Sequence, residues 1–178
     1  MVLPEDRALS ISVSKFKLVL LLLAAIGLVA SAIWIFYLSR HEPVYISIWV
    51  RAVSLFCIIF FGLCGLYSIK KLFNTQPGLV LDSAGIIDNS SAVSVGRISW
   101  QDLEGINITW IQGQRFITLY VTNPQKYLQR GGIFKRQMNA LNYKFYGSPI
   151  HISANTLNIS FNELIDLVSQ YHEQYLNS

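Results

Sequence analysis

Two long stretches of the chain show no alternation between apolar and polar positions. Residues 18 to 38 run for twenty-one positions without a charge, and residues 52 to 69 for eighteen more. As helices rising about 1.5 Å per residue, they reach roughly 31 and 27 Å, close to the ~30 Å hydrocarbon core of a bilayer. Thirteen residues separate them, enough for a short reversal and one further helical turn. The pattern predicts a transmembrane hairpin over residues 18–71, with spans at about 18–38 and 46–69.

Beyond the hairpin the period shortens. Pro77-Gly78 opens a new segment. Residues 79–81 and 86–88 flank Asp82-Ser83-Ala84-Gly85 as a hairpin turn with Gly85 in a left-handed conformation. Ile98 and Trp100 share a face. Ile106, Ile108 and Trp110 point one way and Asn107 and Thr109 the other. Gln112-Gly113-Gln114 turns the chain, and Ile117, Leu119 and Val121 then alternate with Phe116, Thr118 and Tyr120. These are half-buried antiparallel strands. Asn123-Pro124 starts a short helical turn and Gly131-Gly132 breaks it. Residues 133–146 form a second helix, and residues 149–153 a strand with Ile150 and Ile152 inward. Ser160-Phe161-Asn162-Glu163 is a capping box ahead of the apolar stripe Phe161, Leu164, Ile165, Val168, Tyr171 and Tyr175. Before the first span, Leu9, Ile11 and Val13 alternate with Ser10, Ser12 and Ser14. A lone strand is unstable, so residues 8–14 are expected to pair with an edge of the later sheet.

The chain is therefore expected to be an α+β membrane protein with an N-terminal segment (residues 1–17), the hairpin (18–71), and an antiparallel β domain closed by a C-terminal α-helix (72–178). Gly78-Leu79-Val80-Leu81-Asp82 with Gly85-Ile86, then Gly96-Arg97-Ile98-Ser99-Trp100, Asn123-Pro124-Gln125-Lys126-Tyr127 and Thr156-Leu157-Asn158-Ile159-Ser160-Phe161 carry a likeness across nearly the whole chain. In them the chain resembles an uncharacterised family of bacterial two-span inner-membrane proteins bearing a pleckstrin-homology-like domain. The resemblance implies a bent antiparallel sheet plugged by the last helix. It brings no catalytic or binding residue with it. The helical stretch between residues 123 and 146 departs from a minimal domain of that kind.

Charge gives the orientation. Residues 1–71 hold seven Lys or Arg and three acids, and residues 72–178 seven of each, so the net charge of +4 sits on the membrane part. Arg7, Lys15 and Lys17 precede the first span and Lys70 and Lys71 follow the second. The connection has Arg40, opposed by Glu42, and Arg51. By the positive-inside rule both termini face the cytoplasm, and Trp34, Tyr37, Tyr45 and Trp49 mark the other interface. The rival reading of the first span is a cleaved leader, with Ala30-Ser31-Ala32 as its small-residue site, but the apolar run continues to Leu38. Arg51 either snorkels to the outer interface or acts within the span. Gly27 with Ser31, and Gly62 with Gly65, offer small surfaces for helix contact. Cys57 and Cys64 lie too far apart along one helix for a disulfide.

Chemistry is sparse. P-loop, nucleophile-elbow, zinc-protease and C-x-x-C patterns are missing from the sequence, and His41, His151 and His172 are far apart. His151 is expected to point outward from its strand, and Asp102 and Glu104 to lie on a solvated strand edge. No cofactor, metal site or enzymatic activity is expected. No acid occurs between Glu104 and Glu163, an interval holding Arg115, Lys126, Arg130, Lys135, Arg136 and Lys144. These six are the candidate contacts for anionic lipid headgroups or an acidic protein partner, set against solvated charge on helical insertions. Tyr127, Phe134, Tyr143, Phe145 and Tyr146 are expected to hold the insertion to the sheet rather than to stack on nucleic acid. The expected role is a non-enzymatic membrane-tethered binding or scaffold module at the cytoplasmic face of a bacterial inner membrane. The alternative is an immunity or defence protein against a membrane-targeting toxin.

Overall fold

The computed structural model describes residues 8–41 and 43–177. The expected opposition of Arg40 by Glu42 lies outside the described residues, as does Arg7. The chain divides into two compact units, one built from both ends of the sequence and one from residues 14–75.

The second unit is a helical hairpin. Helix α1 spans Lys15–Leu38 and α2 spans Val44–Phe73, joined through a 3-10 turn at Ser39–His41. Both are long and apolar enough to cross a membrane, and little of either is buried. Their contact follows a seven-residue spacing: Leu18, Ala25, Ala32 and Ser39 on one side, Ser47, Ser54 and Ser68 with Gly65 on the other. Small residues let two backbones approach closely, which drives association where no water is present to be released. Gly27 and Gly62, expected at this contact, face open space, whereas Gly65 abuts Ala25 and Leu22. Arg51 is half-buried and donates from Nε to Ser39 Oγ at 3.3 Å, tying α2 to the end of α1.

The other unit is the β domain. Strand β1 (Leu9–Ile11) pairs antiparallel with β2 (Leu79–Asp82), β2 with β3 (Gly85–Asp88), and β3 with β4 (Gly96–Ser99). A 3-10 turn at Trp100–Asp102 leads into a second sheet of β5 (Leu103–Ile111), β6 (Gln114–Val121) and β7 (His151–Ile152). Helices α3 (Pro124–Leu128) and α4 (Ile133–Tyr146) lie between β6 and β7 in the chain, and α5 (Phe161–Leu176) follows. One apolar core joins these elements: Leu79, Leu81, Ile86, Ile98, Trp100, Ile117, Leu119, Ile150, Ile152 and Leu157, with Leu164 and Val168 from α5.

Each turn has a local cause. Asp82 Oδ1 accepts from the amides of Ala84 and Gly85 at 3.0 and 2.9 Å, closing the β2–β3 turn. Gln112 and Gly113 both take positive φ (50° and 77°), as a two-residue hairpin loop in register with strand twist requires. Gly147, at φ 74°, ends α4 in the left-handed conformation. Ser160 Oγ accepts from the Glu163 amide at 3.2 Å and starts α5. Ile108 and Trp110 differ from the expectation. Their strand is the outer edge of its sheet, so they stay exposed although Ile108 lies opposite the buried Ile117.

The N-terminal segment completes the first sheet. Leu9, Ser10 and Ile11 stand opposite Leu81, Val80 and Leu79. Its far side is held too: Val13 bridges Leu157, and the Asn158 amide donates to the Ser12 carbonyl at 3.0 Å. The chain leaves this sheet after Val13 and rejoins it at Gly78, where a Cβ would lie 2.9 Å from Val13 Cγ2. The whole helical hairpin is thus spliced into the turn between two paired strands.

Candidate functional site

The candidate bases fall on three elements of the β domain. Lys126 and Arg130 belong to α3 and its exit, where they surround Tyr127. Asn123 caps α3 by accepting from the Lys126 amide, with Pro124 at the first position. This fixes Tyr127 inward, fully buried, with its hydroxyl donating to Asp102 Oδ2 at 2.6 Å. Lys126 Nζ reaches the same oxygen at 2.5 Å. The Lys126 and Tyr127 hydrogen bonds hold Asp102 below the usual carboxylate range, outweighing its partial burial. Burial, and then the negative Asp102, push the Tyr127 phenol up to about 12. Arg130 stacks over the Tyr127 ring at 4.4 Å and donates to the carbonyls of Val95 and Arg97. Asp102 is therefore the hub of a latch between α3 and the 3-10 turn that joins the two sheets, not a solvated strand edge.

The remaining bases are separate. On α4, Lys135 Nζ donates to the Ser94 carbonyl at 2.6 Å and Arg136 Nε to Gly131 at 2.9 Å, while Lys144 is exposed. Arg115, at the start of β6, packs over Phe161 at 4.5 Å and donates to Asn162 Oδ1 at 2.9 Å, at the start of α5. Apart from the exposed Lys144, the bases are held by different partners. Arg130 and Lys135 converge on residues 94–97, Lys126 is neutralised by Asp102, and Arg115 stands apart.

Helix α4 meets the domain through polar groups. Asn139, fully buried, donates from Nδ2 to the Val93 carbonyl at 3.1 Å, one turn on from Lys135. Asn139 did not stand out in the sequence and Lys135 stood out only as a candidate lipid or partner contact, because apolar periodicity is the signal normally read for a docked face. Of the five aromatics expected to hold the insertion down, Tyr127 and Tyr146 do so. Phe134, Tyr143 and Phe145 are exposed.

His151 alternates with the buried Ile152 and is half-buried, between the Tyr146 and Phe116 rings. Nε2 lies 3.0 Å from the Ser148 carbonyl and Nδ1 2.9 Å from Thr118 Oγ1. A carbonyl only accepts, so Nε2 carries the hydrogen, and Thr118 Oγ1 donates to Thr109 Oγ1 at 2.8 Å. Burial lowers the pKa of His151 below 6.5. The ring thus sets a base beside a hydroxyl, but Thr118 is fully buried and out of substrate's reach. The cavity beside it, lined by Asp88, Ser94, Asn139, Asn142 and His151, holds about 10 Å³, room for one water. An open groove of about 410 Å³ between α1 and α2 is lined by apolar side chains and glycines. Among the described residues, no three His, Cys, Asp or Glu side chains gather as metal ligands would. No family model, curated protein or solved structure matches the chain.

Proposed function

We propose that this protein is a membrane-tethered binding or scaffold module, a pleckstrin-homology-like domain held at the cytoplasmic face of a bacterial inner membrane. The observation that carries the reading is the splice of the helical hairpin between β1 and β2. An anchor attached at one end of a domain leaves it free to swing. An anchor spliced into a sheet binds the domain at two adjoining points, which suits presentation of a surface.

The side chains of the hairpin support the membrane part. Leu20, Leu23, Ile26, Ile33, Phe56, Ile59, Phe60 and Leu63 are all exposed. A soluble protein does not leave so much contiguous apolar surface in water. Exposed Trp34, Tyr37, Tyr45 and Trp49 gather at the connecting end, where amphipathic rings prefer a bilayer interface. The latch at Asp102 ties α3 to the turn between the two sheets, which suits a fixed binding surface. Reporter fusions after residue 75 are expected to be active in the cytoplasm, and fusions near His41 on the outer side. A reporter after residue 75 that works only outside the cytoplasm would sink the orientation. Capture of partners from gently solubilised membranes tests the binding role.

A further inference from the structure

Helix α4 is inside out by the standards of a soluble domain. Its docked face carries Lys135 and Asn139, bonded to the Ser94 and Val93 carbonyls. Its solvent face carries the large apolar side chains: Ile133 is 77% exposed, Phe134 64%, Leu141 44% and Phe145 69%. Phe134, Leu141 and Phe145 follow i, i+7, i+11 spacing and form one stripe. Lys144 lies beside it, about 80° around the helix, whereas Arg136 points nearly the opposite way; both are exposed, and the helix contains no acid. Nor does any residue between Glu104 and Glu163.

We propose that this face of α4 lies in the headgroup layer of an anionic bilayer, with Phe134, Leu141 and Phe145 inserted at the acyl boundary and Lys144 on the phosphates. The inference rests on the anchoring reading above, because an attached bilayer is present at high effective concentration. Exposed aromatics beside bases are the composition of an in-plane interfacial helix. A base beside the stripe favours an anionic surface, and a bare acidic partner would not account for the apolar stripe next to Lys144. The polar docking of Lys135 and Asn139 then has a purpose. It fixes which side of α4 turns outward, against the helix's own apolar preference.

The test uses the full chain with Cys57→Ser and Cys64→Ser, carrying an environment-sensitive fluorophore on Phe145→Cys, reconstituted into vesicles. Quenching by lipid-borne nitroxide should be at least about twofold stronger in phosphatidylglycerol-containing than in pure phosphatidylcholine vesicles. The difference should shrink as salt shortens the Debye length, and with Lys144→Glu. A probe that stays water-like in both bilayers, or is quenched equally in both, overturns the proposal. Shielding that grows with protein concentration in detergent overturns it as well, assigning the face to a second copy of the chain. Alkaline carbonate extraction separates the two levels. Retention in the pellet with a water-like probe defeats this inference alone, whereas release into the supernatant defeats the anchoring and this inference with it.

Discussion

A methyl group at Gly85 would lie 2.0 Å from the carbonyl oxygen of Ile98, in a φ of 154° that side chains avoid. Both faults sit in backbone, so neither a rotamer change nor a small shift relieves them. Gly85→Ala should cost about 2–3 kcal/mol, read from thermal unfolding of the solubilised protein, while Gly105→Ala, which meets open space, should cost far less. At Asp102 the outcome is milder. Tyr127→Phe removes one of the two donors on Oδ2, but Lys126 stays and the carboxylate is partly open to water. A loss of about 1 kcal/mol is expected. His151 predicts a pH effect of definite sign. Its pKa is lowered in the fold, so the unfolded chain binds the proton first. That contribution to stability is full above pH 6.5 and falls as the pH drops below it. His151→Gln should flatten the dependence of the melting temperature between pH 7 and 5. Asp82, opposed by burial but held ionised by Arg97 and two amides, adds a loss below its ordinary 3.8. None of these side-chain pairings was legible in the sequence. Asp102 meets Lys126 across two elements, and nothing local to either residue announces the other.

Helices and strands were legible where one period ran long enough. Two long apolar helices, short antiparallel strands with their turns and the capped last helix follow from spacing alone. What spacing does not give is the partner of a face. Gly27 and Gly62 look like helix-contact residues, yet the contact follows Ala25 and Gly65, because a helix that is apolar all round does not mark one face for contact. The same ambiguity hid the orientation of α4, whose docked side is specified by two polar groups against its apolar stripe. The helix contact is checkable by cross-linking. A Cβ on Gly65 would lie 3.8 Å from Ala25 Cβ, the usual spacing of a disulfide. In a background lacking Cys57 and Cys64, Ala25→Cys with Gly65→Cys should oxidise within one chain. Gly27→Cys with Gly62→Cys should not.

The β domain is complete only when residues from both sides of the hairpin meet. Replacing residues 14–75 by a short Asn-Gly turn should therefore give a water-soluble, folded domain, since Val13 and Gly78 already adjoin. Removing residues 8–13 should instead open the edge of β2 and promote aggregation, seen as loss of the monomer peak on gel filtration. The segment expected to pair over residues 8–14 pairs at Leu9–Ile11 and bridges at Val13. The splice also sets the order of events during synthesis. β1 leaves the ribosome first and has no partner until both helices have been made and β2 follows them. With the helices in a bilayer, β1 and β2 reach the same compartment only after an even number of crossings. A chain whose second helix fails to cross strands its two strands on opposite sides, leaves β2 bare, and offers itself to proteases. Under the proposed topology, closure of the sheet reports that both helices have crossed, with no added factor.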